Sequence, residues 1–298
     1  MTQPHIGFIG LGIMGRPMAQ RLLAAGFPLR VWARRAETLA PLEAAGARVC
    51  DSPRALAREA GVVFLAVSGG ADVEELVLGE NGLIGGLRPG SVVVDHSTIE
   101  PATARHVAAR LAEVGADFLD APVSGGEQGA IDGTLSIMVG GRAEALGRVR
   151  HLLEVLGRHI VHVGPSGAGQ LAKACNQLVV AQTMQAVGEA ITLCEAAGVD
   201  AGRMREALLG GFAYSRILEV HGQRMLAGDF RPGFKAHLHQ KDLGIALSAA
   251  AEAGVALPGT ALAAQLMNAL VGSGGAERDS AALVTVQRRL NGLSEESA

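Results

Sequence analysis

Residues 5–15 read HIGFIGLGIMG, a short apolar run that continues directly into glycines spaced Gly-x-Gly-x-x-Gly. A helical pattern follows from Arg16 to Ala25, so strand, glycine-rich turn and helix come in the order of a dinucleotide-binding βα unit. In such a unit Gly10 permits the tight turn, Gly12 lets the backbone approach a pyrophosphate, and Gly15 allows close strand–helix packing. The glycine spacing alone is weak evidence, and the alternative is a turn without a ligand. Its position between strand and helix favours dinucleotide binding.

Further strand patterns continue this alternation along the first half of the chain. They occupy Leu29–Trp32, Val62–Val67, Ser91–Asp95 and Asp117–Leu119, and segments with helical spacing separate them. Repeated βα units predict a doubly wound parallel sheet with helices on both faces. We therefore expect a Rossmann-type, dinucleotide-binding domain over residues 1–164.

The second half of the chain has a different pattern, because strand signals stop after about Gly164. Residues 170–197 are almost all helix formers with apolar side chains on most faces, which is typical of a buried helix. Segments 201–209, 238–253 and 260–271 also have helical patterns. The fold class is thus α/β, with a Rossmann-type domain followed by an all-helical domain over residues 165–298. The long first helix favours a subunit interface, in a homodimer or homotetramer.

The bulk composition argues against several functional classes. The formal net charge is −3 and no basic run stands out, so we expect no nucleic-acid partner. The apolar runs are shorter than the roughly 20 residues that span a bilayer. The first residues also lack the pattern of a signal peptide, so we expect no membrane association.

The three cysteines favour a reducing compartment. Cys50, Cys175 and Cys194 form no CxxC pair. If one helix holds the latter two, they lie about 28 Å apart, too far for a disulfide. We therefore expect a cytoplasmic protein.

The end of the second predicted strand indicates which dinucleotide is bound. An NAD-binding unit usually carries a carboxylate there, whereas this chain has Arg34 and Arg35 after Trp32-Ala33. Guanidinium groups can pair with a 2′-phosphate and stack on adenine, so NADP(H) is preferred, with NAD(H) possible. The alternative is a pair of solvated arginines on a surface turn.

Three later segments complete a recognisable set. Residues 120–126 read DAPVSGG, residues 167–177 read GAGQLAKACNQ, and residues 241–243 read KDL. Together with the glycine turn, and in this order, they resemble the β-hydroxyacid dehydrogenase family, which includes 3-hydroxyisobutyrate, 6-phosphogluconate and tartronate semialdehyde enzymes. Residues 125–136 and 238–243 resemble most the tartronate semialdehyde (2-hydroxy-3-oxopropionate) reductase branch. That resemblance implies an oxidoreductase that forms D-glycerate with NADPH.

Lys173 is the candidate catalytic residue. When hydride attacks an aldehyde carbon, negative charge builds on the oxygen, and a cationic acid both stabilises and protonates it. On a helix, Asn176 and Gln177 follow Lys173 at i+3 and i+4 and share its face. Many relatives place Asn four residues after the lysine, where this chain has Gln177, so which amide contacts substrate stays open.

The turn Ser124-Gly125-Gly126 is the candidate substrate-carboxylate site. A hydroxyl and closely approaching backbone N–H groups can form a concave anion site, although an ordinary strand-to-loop turn has the same composition. The resemblance implies further cofactor contacts from the glycine turn and three later positions, with Lys241 near the nicotinamide half or in a closing lid. The implied positions are Gly10, Leu11, Gly12, Ile13, Met14, Gly15, Val67, Thr98 and Lys241.

Several alternatives remain at this point. Within the family, the substrate could be another small semialdehyde, glyoxylate or 3-hydroxyisobutyrate; the expected partner is in each case a small carboxylate-bearing aldehyde or hydroxy acid. A non-catalytic dinucleotide-binding scaffold would have no need of Lys173, Asn176 and the serine-glycine turn together. His237 and His239 diverge by about 200° on a helix and cannot share a metal from one face, so we expect no metal.

Overall fold

The computed structural model describes residues 5–294 of the 298-residue chain. By its internal contacts the chain divides into two compact units, Met1–Lys173 and Ala174–Ala298. The strands are β1 (Ile6–Ile9), β2 (Leu29–Trp32), β3 (Arg48–Val49), β4 (Val62–Leu65), β5 (Val92–Asp95), β6 (Asp117–Asp120), β7 (Val123–Ser124), β8 (Leu135–Gly140) and β9 (Gly157–Gly164).

The helices fall into two groups along the chain. Those before residue 157 are α1 (Gly15–Ala24), α2 (Ala40–Ala44), α3 (Pro53–Glu59), α4 (Gly70–Leu78), α5 (Pro101–Ala112), α6 (Gly126–Asp132) and α7 (Ala143–Leu156). The later helices are α8 (Ala168–Ala196), α9 (Ala201–Leu209), α10 (Arg216–Ala227), α11 (Ala236–Glu252), α12 (Pro258–Leu270) and α13 (Leu283–Leu290). The division between the units falls within α8.

The first unit is built on a nine-stranded sheet within the described residues. The strand order is β3-β2-β1-β4-β5-β6-β8-β7. Strand β9 lies off this path and pairs with β8. Strands β1 to β6 pair in parallel, and the order reverses between β1 and β4. Ligands of open α/β sheets bind at such a switch point, beyond the carboxyl ends of the strands. The glycine turn after β1 lies at that point.

Both faces of the sheet are covered, which confirms the predicted fold class. Neighbouring residues on β1 point into different cores: Phe8 packs with residues of α1 and α7, and Ile9 packs with residues of α3, α4 and α5. A strand buried on both faces is continuously apolar, and β1, β4 and most of β5 are so in sequence. Hydrophobic burial on two faces is therefore what holds this unit together.

The sheet is parallel except at one edge. Strand β8 pairs antiparallel with both β6 and β7. Only residues 125–134 separate β7 from β8, whereas a parallel crossover needs roughly a dozen residues or more. The sequence patterns also missed β3, β7, β8 and β9, and they placed the end of β4 at Val67, two residues beyond its end at Leu65.

The second unit is entirely helical in the described residues, as predicted. Helix α9 has the predicted bounds, and α8, α11 and α12 differ from the predicted bounds by two residues or fewer at each end. Helices α10 and α13 were not predicted. Two apolar clusters form its interior, one of them around Met267 on α12 and the other around Ile191 on α8. None of the helices within residues 5–294 combines the length and apolarity required to cross a membrane.

Candidate active site

A cavity of about 440 Å³ lies beyond the carboxyl ends of β1, β2 and β4, in the first unit. Six residues that the sequence assigned to the cofactor line it: Gly10, Leu11, Gly12, Arg34, Arg35 and Val67. Thr38 and Ser68 also line the cavity and were not predicted from the sequence, and Trp32 lines it as well. Their positions could have indicated them, because Trp32 ends β2, Thr38 follows β2 and Ser68 follows β4.

Each of the three positions in the turn is glycine for a different structural reason. Gly10 has φ +96°, and a Cβ there would lie 2.2 Å from the carbonyl oxygen of Ala66. A Cβ on Gly15 would lie 1.8 Å from the carbonyl oxygen of Gly10. Gly12 differs, because its Cβ would meet no protein atom within 4 Å. The fold requires glycine at the first and third positions, and the open space at Gly12 fits the approach of a pyrophosphate.

The other predicted cofactor residues lie around this cavity in different ways. Ile13 lines a neighbouring cavity of about 210 Å³ together with Arg16 and Glu127. Met14 packs against the core beneath the turn. Thr98 is half-buried in the segment after β5 and lines neither cavity.

The two arginines at the end of β2 differ in their surroundings. Arg34 donates a hydrogen bond to the carboxylate of Asp72, in the first turn of α4. Arg35 lines both cavities. Two guanidinium groups thus border the larger cavity, and one of them is paired with a carboxylate of the protein.

The serine-glycine turn requires its glycines. Gly125 has φ +140° and Gly126 has φ +64°, a region of backbone conformation that side chains disfavour. Ser124 ends β7 and is half-buried. A Cβ on Gly125 would also lie 3.1 Å from the Leu135 side chain. The chain therefore reverses tightly here and leaves backbone groups near its surface.

Lys173 is buried and is the last residue of the first unit, about one and a half turns after the start of α8. Its side chain is 8% exposed. Burying an ammonium group costs free energy unless polar partners surround it, so a lysine is rarely placed there for packing alone.

Asn176 and Gln177 belong to a hydrogen-bonded group in the second unit. The Asn176 amide donates to Oε1 of Gln177 at 2.8 Å, and the Gln177 amide donates to Oδ2 of Asp242 at 2.6 Å. Lys241 lies beside the same carboxylate, with Nζ 3.3 Å from Oδ1 of Asp242. Asp242 lies in the motif at residues 241–243, but the motif alone assigned it no role. In the structure, Asp242 links the amides of Asn176 and Gln177 to Lys241.

The two histidines of α11 have separate environments. His239 is buried and its Nε2 lies 3.3 Å from the carbonyl oxygen of Gln177. His237 lies near the carbonyl oxygen of Ala276 and the carboxylate of Glu277. In the part of the chain that the structure describes, no three His, Cys, Asp or Glu side chains are grouped as metal ligands.

Comparison with known families identifies the family of the chain. The NAD-binding domain of 6-phosphogluconate dehydrogenase matches residues 5–164, and the NAD-binding region of NADP-dependent 3-hydroxyisobutyrate dehydrogenase matches residues 167–287. The chain belongs to the β-hydroxyacid dehydrogenase family. As such a dehydrogenase it is an NAD(P)-dependent enzyme, and the family acts on small hydroxy acids and semialdehydes.

Three relatives of this β-hydroxyacid dehydrogenase indicate the range of the family. It is 46% identical to a 2-hydroxy-3-oxopropionate reductase of Escherichia coli (strain K12), over 94% of this chain and 95% of the relative. It is 42% identical to an NAD-dependent L-serine dehydrogenase of Pseudomonas aeruginosa, over 92% and 95% of the two chains. The solved structure of a Mycobacterium tuberculosis 3-hydroxyisobutyrate dehydrogenase with L-serine has TM-score 0.88 and 33% identity, covering 96% of this chain and 100% of that one.

Proposed function

We propose that this β-hydroxyacid dehydrogenase reduces tartronate semialdehyde (2-hydroxy-3-oxopropanoate) to D-glycerate with NADPH. The observation that carries the substrate assignment is the 46% identity, over nearly the full length of both chains, to a 2-hydroxy-3-oxopropionate reductase. The catalytic and substrate-binding residues that we assign to the site lie within residues 120–126 and 167–177, two of the segments that carried the family resemblance.

The choice of NADPH rests on the charge of the cofactor cavity. Arg34 and Arg35 border it at the end of β2, where an NAD-binding domain usually carries a carboxylate. Guanidinium groups recognise a phosphate by paired, charge-assisted hydrogen bonds. Because Asp72 pairs with Arg34, we assign the 2′-phosphate chiefly to Arg35 and expect NADH to retain some activity.

Lys173 is the proposed proton donor. The nicotinamide cofactor, when bound, supplies the hydride that forms the new C–H bond at the aldehyde carbon. The electron pair of the C=O π bond moves to the oxygen, and Lys173 Nζ transfers a proton to that oxygen to give the alcohol. Burial of Lys173 strengthens its attraction to the developing negative charge, because little water competes for it.

Binding of the substrate is assigned to the serine-glycine turn and to one amide. Ser124, Gly125 and Gly126 offer a hydroxyl and backbone N–H groups to the carboxylate. Of the two amides, we favour Asn176 for the substrate hydroxyl, because Gln177 is buried, donates to Asp242 and accepts from Asn176. Asn176 and Gln177 lie three and four residues after Lys173 along α8.

The test is a matrix of substrates and cofactors. NADPH oxidation is followed with tartronate semialdehyde, succinic semialdehyde, methylmalonate semialdehyde and glyoxylate, and each reaction is repeated with NADH. We expect the highest kcat/KM for tartronate semialdehyde with NADPH. A higher value for any other aldehyde would reject the substrate assignment, and equal values with both cofactors would reject the preference for NADPH.

L-Serine oxidation is the second candidate. A relative with 42% identity is an NAD-dependent L-serine dehydrogenase, and the similar Mycobacterium tuberculosis structure contains L-serine. The same set of assays therefore includes the oxidation of L-serine and of 3-hydroxyisobutyrate, each with NAD⁺ and with NADP⁺. Faster oxidation of L-serine with NAD⁺ than reduction of tartronate semialdehyde with NADPH would favour this candidate. Cofactor binding without turnover of any compound would favour a non-catalytic scaffold.

Self-association through α8 is also proposed, as a homodimer or homotetramer. Val179 and Leu193 on this helix are 58% and 70% exposed, although the helix is apolar on most faces. Light scattering coupled to size-exclusion chromatography measures the assembled mass. A monomer at micromolar concentration would contradict the proposal.

A further inference from the structure

Asp120 and Gln170 are two fully buried polar residues that carry none of the roles assigned above. Asp120 ends β6, immediately before the segment that leads to the serine-glycine turn. Gln170 lies three residues before Lys173, near the start of α8. Both belong to the first unit, and their side chains join segments that are far apart in sequence.

The Asp120 carboxylate binds the start of the helix that carries Lys173. Its Oδ1 accepts a hydrogen bond from the Gly167 N–H at 2.8 Å, and its Oδ2 accepts one from the Gln170 N–H at 2.9 Å. These N–H groups lack partners within the helix, and the N-terminal end of a helix favours a negative charge. The first turn of α8 is thus attached to the end of β6.

Two glycines allow this close approach. A Cβ on Gly169 would lie 2.4 Å from the Asp120 carbonyl oxygen, and a Cβ on Gly140 would lie 2.6 Å from Oδ1 of Asp120. Neither position has room for a side chain. The carboxylate is therefore enclosed by backbone on several sides, and α8 has little freedom to shift relative to β6 and β8.

The Gln170 side chain joins the same helical turn to the segment after β5. Its Oε1 accepts a hydrogen bond from the Ile99 N–H at 3.1 Å, and its Nε2 donates to the Ser97 carbonyl oxygen at 2.8 Å. These two contacts hold the residues on either side of Thr98. In turn, Oγ of Ser97 accepts a hydrogen bond from the Val67 N–H at 2.9 Å, at the wall of the cofactor cavity.

Burying the Asp120 carboxylate costs free energy. Burial raises the pKa of Asp120, and hydrogen bonds from the Gly167 and Gln170 N–H groups oppose that rise only in part. Buried polar groups in networks can instead specify one geometry. The geometry specified here is that of Thr98, Val67 and the turn before Lys173.

We infer that Asp120 and Gln170 are positioning residues for the reaction, which hold the Lys173 turn of α8 at a set place relative to the Thr98 segment and the cofactor cavity. On a helix, residues three apart are neighbours, so a displacement of Gln170 moves Lys173 with it. The inference rests on the proposed function, because it takes Lys173 as the proton donor.

The test compares Gln170→Met with Gln182→Met in the full-length enzyme. Gln170→Met keeps the side-chain length and removes both hydrogen bonds. Gln182→Met is the control, because Gln182 lies on the same helix and donates to Thr260 in the second unit. We measure kcat and KM, the Kd of NADPH from quenching of Trp32 (the one tryptophan of the sequence), and the isotope effect with NADPH deuterated at the transferred position.

We expect Gln170→Met to lower kcat by about 10- to 100-fold, since small misplacements of a catalytic group cost up to about 100-fold. KM and the Kd of NADPH should change less than threefold, and the isotope effect should rise because the chemical step becomes slower. Gln182→Met should keep kcat within twofold. Asp120→Asn retains one acceptor oxygen, so its kcat should lie between those of Gln170→Met and Gln182→Met.

The opposite result is a kcat within twofold of wild type in Gln170→Met, or a drop that only follows the fraction of unfolded protein, with an unchanged isotope effect. Either result overturns the positioning role. If Gln170→Met does not fold, Gln170→Glu, which keeps one acceptor and loses the donor, supplies the same comparison. Lys173→Met distinguishes failure of the proposed function. If that variant turns over at the wild-type rate, Lys173 is not the proton donor and the proposed function itself fails.

Discussion

Arg34 donates a hydrogen bond to Asp72, which lies 38 residues later in the first turn of α4. This pair places a carboxylate of the protein on one of the two guanidinium groups that border the cofactor cavity. A 2′-phosphate that reaches Arg34 must therefore compete with Asp72. Cofactor preference depends on this contact as well as on the two arginines.

Asp72→Asn should tighten NADPH binding by up to about fivefold, which corresponds to the roughly 1 kcal/mol that an exposed ion pair contributes. NADH lacks the phosphate, so its Kd should stay within about twofold. Trp32 fluorescence titration with both cofactors measures the effect. Glu75→Gln, on the same helix, is the matched control for the loss of one negative charge. Equal tightening of both cofactors, or none, contradicts the competition.

Replacing Arg34 and Arg35 together by alanine should weaken NADPH at least tenfold more than NADH. The reason is the loss of both charge-assisted contacts with the 2′-phosphate. Arg48→Ala, at an exposed arginine on β3, controls for the loss of one of the two positive charges. An equal loss for the two cofactors would mean that the arginines contact a part that both share.

Lys173→Met should lower kcat by about 10²- to 10⁴-fold, the usual contribution of a general acid. The Kd of NADPH should change less than threefold, since the cofactor cavity keeps its lining. Lys173→Arg separates charge from proton transfer, because a guanidinium keeps the positive charge but does not release a proton at neutral pH. Turnover by the arginine variant near the wild-type rate would leave electrostatic attraction as the only role of Lys173.

His96 should make the folded protein less stable as the pH falls below 6.5. Burial lowers the pKa of His96 to about 4 in the folded chain, against an ordinary value of 6.5, while its bond to the Ala121 carbonyl oxygen opposes the change. Between these pH values the unfolded chain takes up the proton and the folded chain does not. Unfolding is therefore favoured by up to about 3 kcal/mol toward pH 4.

His96→Asn isolates this effect, because an asparagine amide can keep the bond to Ala121 and does not titrate. Urea midpoints measured from pH 7 to pH 4 should fall less steeply in His96→Asn than in wild type. Burial also lowers the pKa of His221, but that residue is the same in both proteins and its effect cancels in the difference. His106→Asn, at an exposed position, should keep the wild-type slope. Parallel curves for His96→Asn and wild type would contradict the assignment.

Local patterns in the sequence predicted much of the fold and of the cofactor cavity. The run at residues 6–9, its glycine turn and the following helix are contiguous, so hydrophobic period and backbone freedom identify them directly. The same holds for α8, α9 and the strand that ends at Trp32. The missed strand β9 has exposed valines and histidines on an edge of the sheet, a pattern that no burial period reveals.

The sequence by itself determined the glycine turn, the parallel core strands, the helical second unit and the presence of Lys173, Asn176 and Gln177 on one helix, because each depends on neighbours within a few turns of chain. Only the tertiary structure decided which side chains hold these elements and residues in place. Asp120 and Gln170 bind partners 47 to 73 residues away, Arg34 binds Asp72, and Gln177 binds Asp242 65 residues further on. Such contacts follow from how strands and helices pack, and no local spacing encodes them.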